Sequence, residues 1–231
     1  MREIVLDTET TGLDPLQGHR LVEIGCVELI NRIPSGQTFH AYLYPERPMP
    51  AEAFDIHGLS DEFLKDKPPF AEVVDELLGF MGDAPLVIHN AIFDIGFLNA
   101  ELERLGRPLI GRERMVDTLS IARRKHAGAS NRLDDLCVRY AIDASVRAKH
   151  GALLDAQLLA EVYVELIGAR QAQLLLSQTP VIVRPLGAPI IVRQRPVPLV
   201  PRLSAAERAA HRAFVATLGN HAVWRDYLSL D

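Results

Sequence analysis

Cysteine is scarce in this 231-residue chain: only Cys26 and Cys137 are present, each inside an apolar stretch (Ile24-Gly25-Cys26-Val27 and Leu136-Cys137-Val138). Two such thiols give too little material for a disulfide framework or a cysteine-ligated zinc site, and both read as reduced core residues. No uninterrupted apolar run approaches the roughly 20 residues of a membrane span. No cationic-then-apolar start follows Met1-Arg2-Glu3, so neither a spanning helix nor a signal peptide is expected, and the expected location is cytoplasmic. A surplus of positive charge is missing too. The formal charge is −5, and because residues 181–231 hold seven Arg against Glu207, Asp226 and Asp231, residues 1–180 carry −9. So acidic a body does not hold DNA or RNA by bulk attraction; a nucleic-acid partner would need bridging cations, local contacts or a second protein. What remains is ordinary for a soluble globular chain able to bury a core: 48% hydrophobic and 24% charged residues.

Against that background the acidic residues are placed unusually. Ile4-Val5-Leu6 reads as a buried strand, and it runs straight into Asp7-Thr8-Glu9-Thr10-Thr11-Gly12. The two-residue period of a strand puts Asp7 and Glu9 on one face. No Lys or Arg adjoins them in sequence, so a hard divalent cation is the natural neutraliser of the pair. Turn signals at Gly12 and Asp14-Pro15 place the pair where a strand leaves the core. Two further acidic contexts follow: Asn90-Ala91-Ile92-Phe93-Asp94 and His150-Gly151-Ala152-Leu153-Leu154-Asp155. Taken alone, Asp94 is a helix-capping Asp. His150 and Asp155 are five apart, about 140° around a continuous helix, so they share a site only if His150 precedes the helix, a break that Gly151 permits.

Leu21 to Leu29 and Thr38 to Tyr44 read as strands, joined by a connection containing Asn31, Pro34, Ser35 and Gly36. Phe70 to Met81 has a three-and-four apolar spacing that predicts a helix with one buried face. Leu86-Val87-Ile88 reads as a short strand, and Phe93 to Leu105, Leu133 to Tyr140 and Asp155 to Ile167 as helices. The predicted class is α/β, a mixed sheet flanked by helices over residues 1–172. Six of the fifteen prolines lie between Pro180 and Pro201, so residues 173–203 read as a linker. Ser204-Ala205-Ala206-Glu207 then resembles a capping box opening a helix to about Leu218, with Trp224 and Tyr227 after it, in a helical segment 204–231.

The quoted residues carry a family resemblance. Asp-x-Glu, a distal Asp and His-x4-Asp together resemble the signature of the DEDDh 3′→5′ exonucleases, which have a ribonuclease H-like fold, and all five positions are filled. Within the family, His57-Gly58-Leu59-Ser60-Asp61, His89-Asn90-Ala91-Ile92-Phe93-Asp94 and Leu133-Asp134-Asp135-Leu136-Cys137-Val138-Arg139-Tyr140 are similar to the proofreading subunits of bacterial replicative polymerases. The likeness implies that Asp7, Glu9 and Asp155 hold one of two divalent ions, Mg²⁺ or Mn²⁺, that Asp7 is shared with the second, and that Asp94 supports the second through water. His150 would be the general base, since an imidazole titrates near neutrality. Asp7, Glu9 and Asp155 would thereby also hold the substrate. Glu52 and His57 would contact the terminal nucleotide, with Asn90 nearby and Phe93 lining its base pocket.

Gln171-Ala172-Gln173-Leu174-Leu175-Leu176 looks like a sliding-clamp peptide, with Gln171, Leu174 and Leu176 as its contacts. The C-terminal segment would dock on the polymerase's catalytic (alpha) subunit. The expected activity is removal of mismatched 3′ nucleotides from DNA as monophosphates. A 3′ exoribonuclease with the same metal site and a largely structural polymerase subunit stand as alternatives, because the acidic residues do not discriminate DNA from RNA.

Overall fold

In a computed structural model that describes residues 1–145, 149–169, 203–219 and 223–224, the acidic pair sits on the middle strand of a sheet. The first strand, β1 (Arg2–Thr10), alternates between two buried layers. Ile4 and Leu6 join one apolar cluster and Val5 the other, so Glu3, Asp7 and Glu9 share the Val5 face. Antiparallel to β1 runs β2 (Leu21–Ile30), followed by β3 (Ile33–Tyr42). On its other side β1 pairs in parallel with β4 (Leu86–Ile88), which pairs with β5 (Met115–Asp117), giving the mixed order β3-β2-β1-β4-β5 among the described residues.

Registry decides where the site opens. β4 pairs with β1 only at Ile4–Leu86 and Val5–Val87, whereas β2 accompanies β1 to Thr10. Asp7 to Thr10 therefore run on past the carboxyl end of β4, leaving a crevice of the kind where α/β proteins place their ligands.

Among the described residues the α-helices are α1 (Ala51–His57), α2 (Asp61–Leu64), α3 (Phe70–Met81), α4 (Ala91–Arg104), α5 (Thr118–Lys125), α6 (Leu133–Tyr140), α7 (Ala152–Leu166) and α8 (Ala205–Thr217). On the Ile4 face, α3 buries Phe70, Val74, Leu77 and Met81, and α4 buries Ile95, Phe97, Leu98 and Leu102. On the Val5 face lies α7, through Ala156, Leu159, Ala160 and Tyr163. The Tyr163 hydroxyl donates to buried Glu3 at 2.7 Å.

Several boundaries differ from the sequence reading. The β2–β3 connection is only Asn31-Arg32, both at positive φ, and Pro34 to Gly36 lie inside β3. β3 is an edge strand with a register shift opposite Val27 to Leu29, and there a proline breaks no ladder needed by a further neighbour. α4 begins at Ala91 rather than Phe93, and α7 at Ala152 rather than Asp155, because Asn90 at φ 68° and extended Gly151 set the turn earlier. α1, β5 and α5 are elements that the sequence pattern does not announce.

The chain divides into two compact units, Met1–Leu174 and Leu175–Asp231. In the second, α8 opens on a capping box in which Ser204 Oγ accepts from the Glu207 amide and Glu207 accepts from the Ser204 amide. Val215 is buried, Phe214 and Trp224 are exposed, and the Trp224 ring meets His211 edge-on at 5.7 Å. Gln171, Leu174, Leu176, the proline-rich stretch and Tyr227 lie outside the described residues. Among the described residues no helix is long and apolar enough to cross a membrane.

Candidate active site

Glu9, His150 and Asp155 converge: each offers a ligand atom, and the three atoms lie within 4.8 Å of one another. Three local features bring this about. The strand period aims Glu9 at α7. Gly151 is extended at the head of α7, so His150 stays off the helix while Asp155 occupies its first turn. The third is Gly25, the cross-strand partner of Asp7: a Cβ there would come within 2.2–2.4 Å of the Ala152 and Leu153 backbone, so only glycine lets α7 rest directly on the sheet. His150 Nδ1 lies 3.2 Å from Asp155 Oδ2, and the His150 amide bonds the Ile56 carbonyl. His150 is exposed; Glu9 and Asp155 are buried.

Asp94 approaches from the other side of the sheet. It projects from the first turn of α4 and accepts a 2.7 Å hydrogen bond from the Thr8 hydroxyl, and Thr8 points away from the Asp7 and Glu9 face. Burial pushes the Asp94 carboxyl well above the usual carboxylate range, against the opposing hydrogen bonds from Thr8 and from the backbone. Thr8 thus joins the two faces, which the sequence did not reveal. The turn into α4 is held by Asp117, whose Oδ1 accepts from the amides of Asn90 and Ala91 and also caps α5 at Leu119. Burial pushes the Asp117 carboxyl up, but bonds from Ser120 and these three amides outweigh it and hold it below its ordinary value.

Two cavities are lined by the converging residues, Glu9 in one and His150 and Asp155 in the other. The larger, about 850 Å³, contains Asp7, Asn90, His150 and Asp155 and extends to Arg123 and Arg132. The other, about 500 Å³, contains Thr8, Glu9, Glu52, His57 and Phe93. Glu52, His57 and Phe93 therefore share one chamber, and Asn90 faces the other; Asp94 lines neither. His57 ends α1, is buried, and accepts the Leu59 amide on Nδ1. Burial lowers its pKa, outweighing the Thr10 backbone and the charge of Glu23. Glu23 is a buried carboxylate unmarked by any sequence pattern; it lies opposite Glu9 on β2 and pairs with His40 at 2.7 Å.

This donor set, carboxylate oxygens with one imidazole, suits a hard or borderline divalent cation, and closely placed carboxylates need one. Glu9, His150 and Asp155 offer it ligand atoms within 4.8 Å of one another, and Asp7 lines the cavity that holds His150 and Asp155.

The chain matches the exonuclease (RNase T) family model over residues 4–163. It is 56% identical to DNA polymerase III subunit epsilon of Rickettsia conorii, covering 74% of this chain and 76% of that one. With DNA polymerase III subunit epsilon of Escherichia coli K12 it shares 44% identity over 97% of each chain. Among solved structures it resembles exonuclease X in complex with 5′ overhanging duplex DNA, at a TM-score of 0.58 and 24% identity over 72% of this chain and 91% of that one. It also resembles the nuclease domain of 3′hExo, a DEDDh family member bound to rAMP, at a TM-score of 0.60 and 16% identity over 73% and 92%. At such identities the solved structures speak for the fold alone.

Proposed function

The chain belongs to the exonuclease family, and from that premise we propose that it is the 3′→5′ proofreading exonuclease of a bacterial replicative polymerase, removing mismatched 3′ nucleotides from DNA as deoxynucleoside monophosphates. The observation that carries this reading is the convergence of Glu9, His150 and Asp155 beside Asp7 where β1 outruns β4. Identity to epsilon subunits across nearly the whole chain supports the polymerase setting. The acidic body agrees with it, since a tethering partner can supply the affinity for DNA that the chain lacks.

Asp7, Glu9 and Asp155 would hold one ion, Asp7 reaching also towards a second that Asp94 supports from behind Thr8. When bound, two ions of Mg²⁺ or Mn²⁺ supply an acidified water and stabilise the departing 3′ oxygen. His150 takes the proton from the attacking water. With its Nδ1 turned to Asp155, Nε2 is the nitrogen that accepts it. The chamber of Glu52, His57 and Phe93 would receive the terminal nucleotide. A mismatched end is easier to unpair, so entry into that chamber selects frayed ends without reading base identity. The C-terminal segment, with exposed Phe214 and Trp224, would dock on the alpha subunit of DNA polymerase III, and Gln171, Leu174 and Leu176 on the sliding clamp.

The test is Mg²⁺-dependent shortening of a 5′-labelled DNA primer with a mismatched 3′ end, beside matched DNA and single-stranded RNA, for wild type and Asp7→Ala. Faster loss of the mismatched end, abolished by the substitution, is expected. Equal rates on paired and mismatched ends would remove proofreading, preferential loss of RNA would make the protein an exoribonuclease, and inactivity throughout would leave a structural role.

A further inference from the structure

The larger cavity has a far wall that catalysis does not use. It contains Arg123, in the last turn of α5, and Arg132, at the head of α6, facing the same space as Asp7, His150 and Asp155. Both arginines are exposed, and among the described residues neither is in an ion pair. Arg2, Arg20, Arg104 and Arg107, by contrast, are each committed to a carboxylate. Arg123 is near enough to half-buried His89 for its charge to add to the effect of burial in lowering that imidazole's pKa. Other exposed arginines, Arg112 and Arg124 among them, are also outside the ion pairs of the described residues; what sets Arg123 and Arg132 apart is that both line one cavity with Asp7, His150 and Asp155, a cavity that also contains Asp134, and their planar donors suit phosphate oxygens. Between them runs a loop of small residues, Ala127-Gly128-Ala129, which keeps the wall open to a chain lying along it.

Position decides which phosphate. Glu9 lines the chamber of His57 and Phe93, whereas Asp7, His150 and Asp155 line the cavity that holds both arginines, so the converging residues are shared out between the two spaces. If the terminal nucleotide occupies the chamber and its phosphate sits at the carboxylates, the strand continues into the larger cavity. We propose that Arg123 and Arg132 form a phosphate subsite for the substrate strand on the 5′ side of the scissile bond, gripping the phosphate next after the one that is cleaved. The subsite rests on the exonuclease reading above and specifies how that site recognises a strand rather than a nucleotide.

The experiment compares three substrates of the full chain with Mg²⁺: the p-nitrophenyl ester of thymidine 5′-monophosphate, the dinucleotide TpT, and its 5′-phosphorylated form pTpT. The first two contain the scissile phosphate and no phosphate upstream of it, TpT adding only the upstream nucleoside; pTpT adds one upstream phosphate. In wild type the 5′-phosphate should lower KM with little change in kcat. In Arg123→Gln/Arg132→Gln the KM values for pTpT and TpT should converge, with partial recovery of the difference in the double Arg→Lys variant. On longer single strands the slope of log(kcat/KM) against log salt should become shallower by about 0.7 for each phosphate that the variant no longer neutralises. The subsite is overturned if the advantage of pTpT survives the double substitution. It is equally overturned if a variant with unchanged melting temperature loses the same factor on all three substrates, which would place the arginines at the scissile phosphate. Wild-type inactivity on all three would bring down the exonuclease reading itself.

Discussion

His150 owes its position to one extended residue, Gly151, which keeps the imidazole off α7 and over the carboxylates. His150→Ala is expected to lower kcat by about 10²- to 10⁴-fold, the usual range for a general base, while the Mg²⁺ concentration for half-maximal activity changes little. Single-turnover rates across a Mg²⁺ titration would separate the two quantities. Thr8 offers a different test. Its hydroxyl bonds the buried Asp94 carboxyl at 2.7 Å, so Thr8→Val, nearly the same shape, should cost about 1–3 kcal/mol in a denaturant melt by leaving that carboxyl short of a donor. Asp7 and Glu9 could be singled out in the sequence because their strand spacing is itself a signal, whereas Asp94, His150 and Asp155 gained their meaning from the family resemblance that the whole set carries. Thr8, Asp117 and Glu23 could not, since each acts through a partner remote in sequence: Thr8 through Asp94, 86 residues on, and Asp117 through Asn90, 27 residues back.

Among the elements, α3 and α6 could be read to their end residues because each buries one periodic face and stops at a residue of unusual conformation, Gly82 and Ala141 respectively. β5 is three half-buried residues with no alternation, and α1 buries only Ala53 and His57, so neither leaves a pattern to read. Two substitutions test how the elements are locked together. Gly25→Ala would drive a methyl into the backbone of α7, at a cost of about 1–3 kcal/mol, and would displace the element that carries Asp155. Thermal melting and nuclease assay should therefore both register it. Arg20 donates from Nε and a terminal nitrogen to the two oxygens of Glu101, which is buried on α4, at 2.6 and 2.9 Å. Arg104 is the other partner of Glu101. Because Arg104 still pairs with Glu101, Arg20→Ala should cost about 1–3 kcal/mol, the scale for lost hydrogen bonds to a charged group, and Glu101→Gln in the same chain should recover part of it.

For the whole molecule, one source of acid sensitivity is a pair of imidazoles, buried His57 and half-buried His89. Burial lowers the pKa of His57 and of His89 from 6.5, the value they regain on unfolding. Below pH 6.5 the unfolded chain takes up protons that the folded chain resists, so stability falls as pH drops from 6.5 towards their folded values. Above about pH 7 both states hold these rings neutral, and their contribution is level. The Asp94 carboxyl, raised by burial, acts in the opposite sense over the same interval, so the imidazole contribution is read as a difference between melting curves: His89→Gln should show a smaller fall in melting temperature below pH 6.5 than wild type. Chelation should abolish nuclease activity, and either Mg²⁺ or Mn²⁺ should restore it.

One consequence of strand order concerns time rather than position. Asp7 and Glu9 belong to the middle strand, bonded to β2 along its length and to β4 at its base, with a buried layer on each face. Segments so enclosed open only when the domain unfolds globally, whereas edges and termini fray at little cost. The amides of β1 that point towards β2 should be among the last to exchange with deuterium, later than those of the edge strand β3. Heat should then inactivate the protein in one step with its unfolding, with no window in which a folded molecule has lost the strand that carries Asp7 and Glu9.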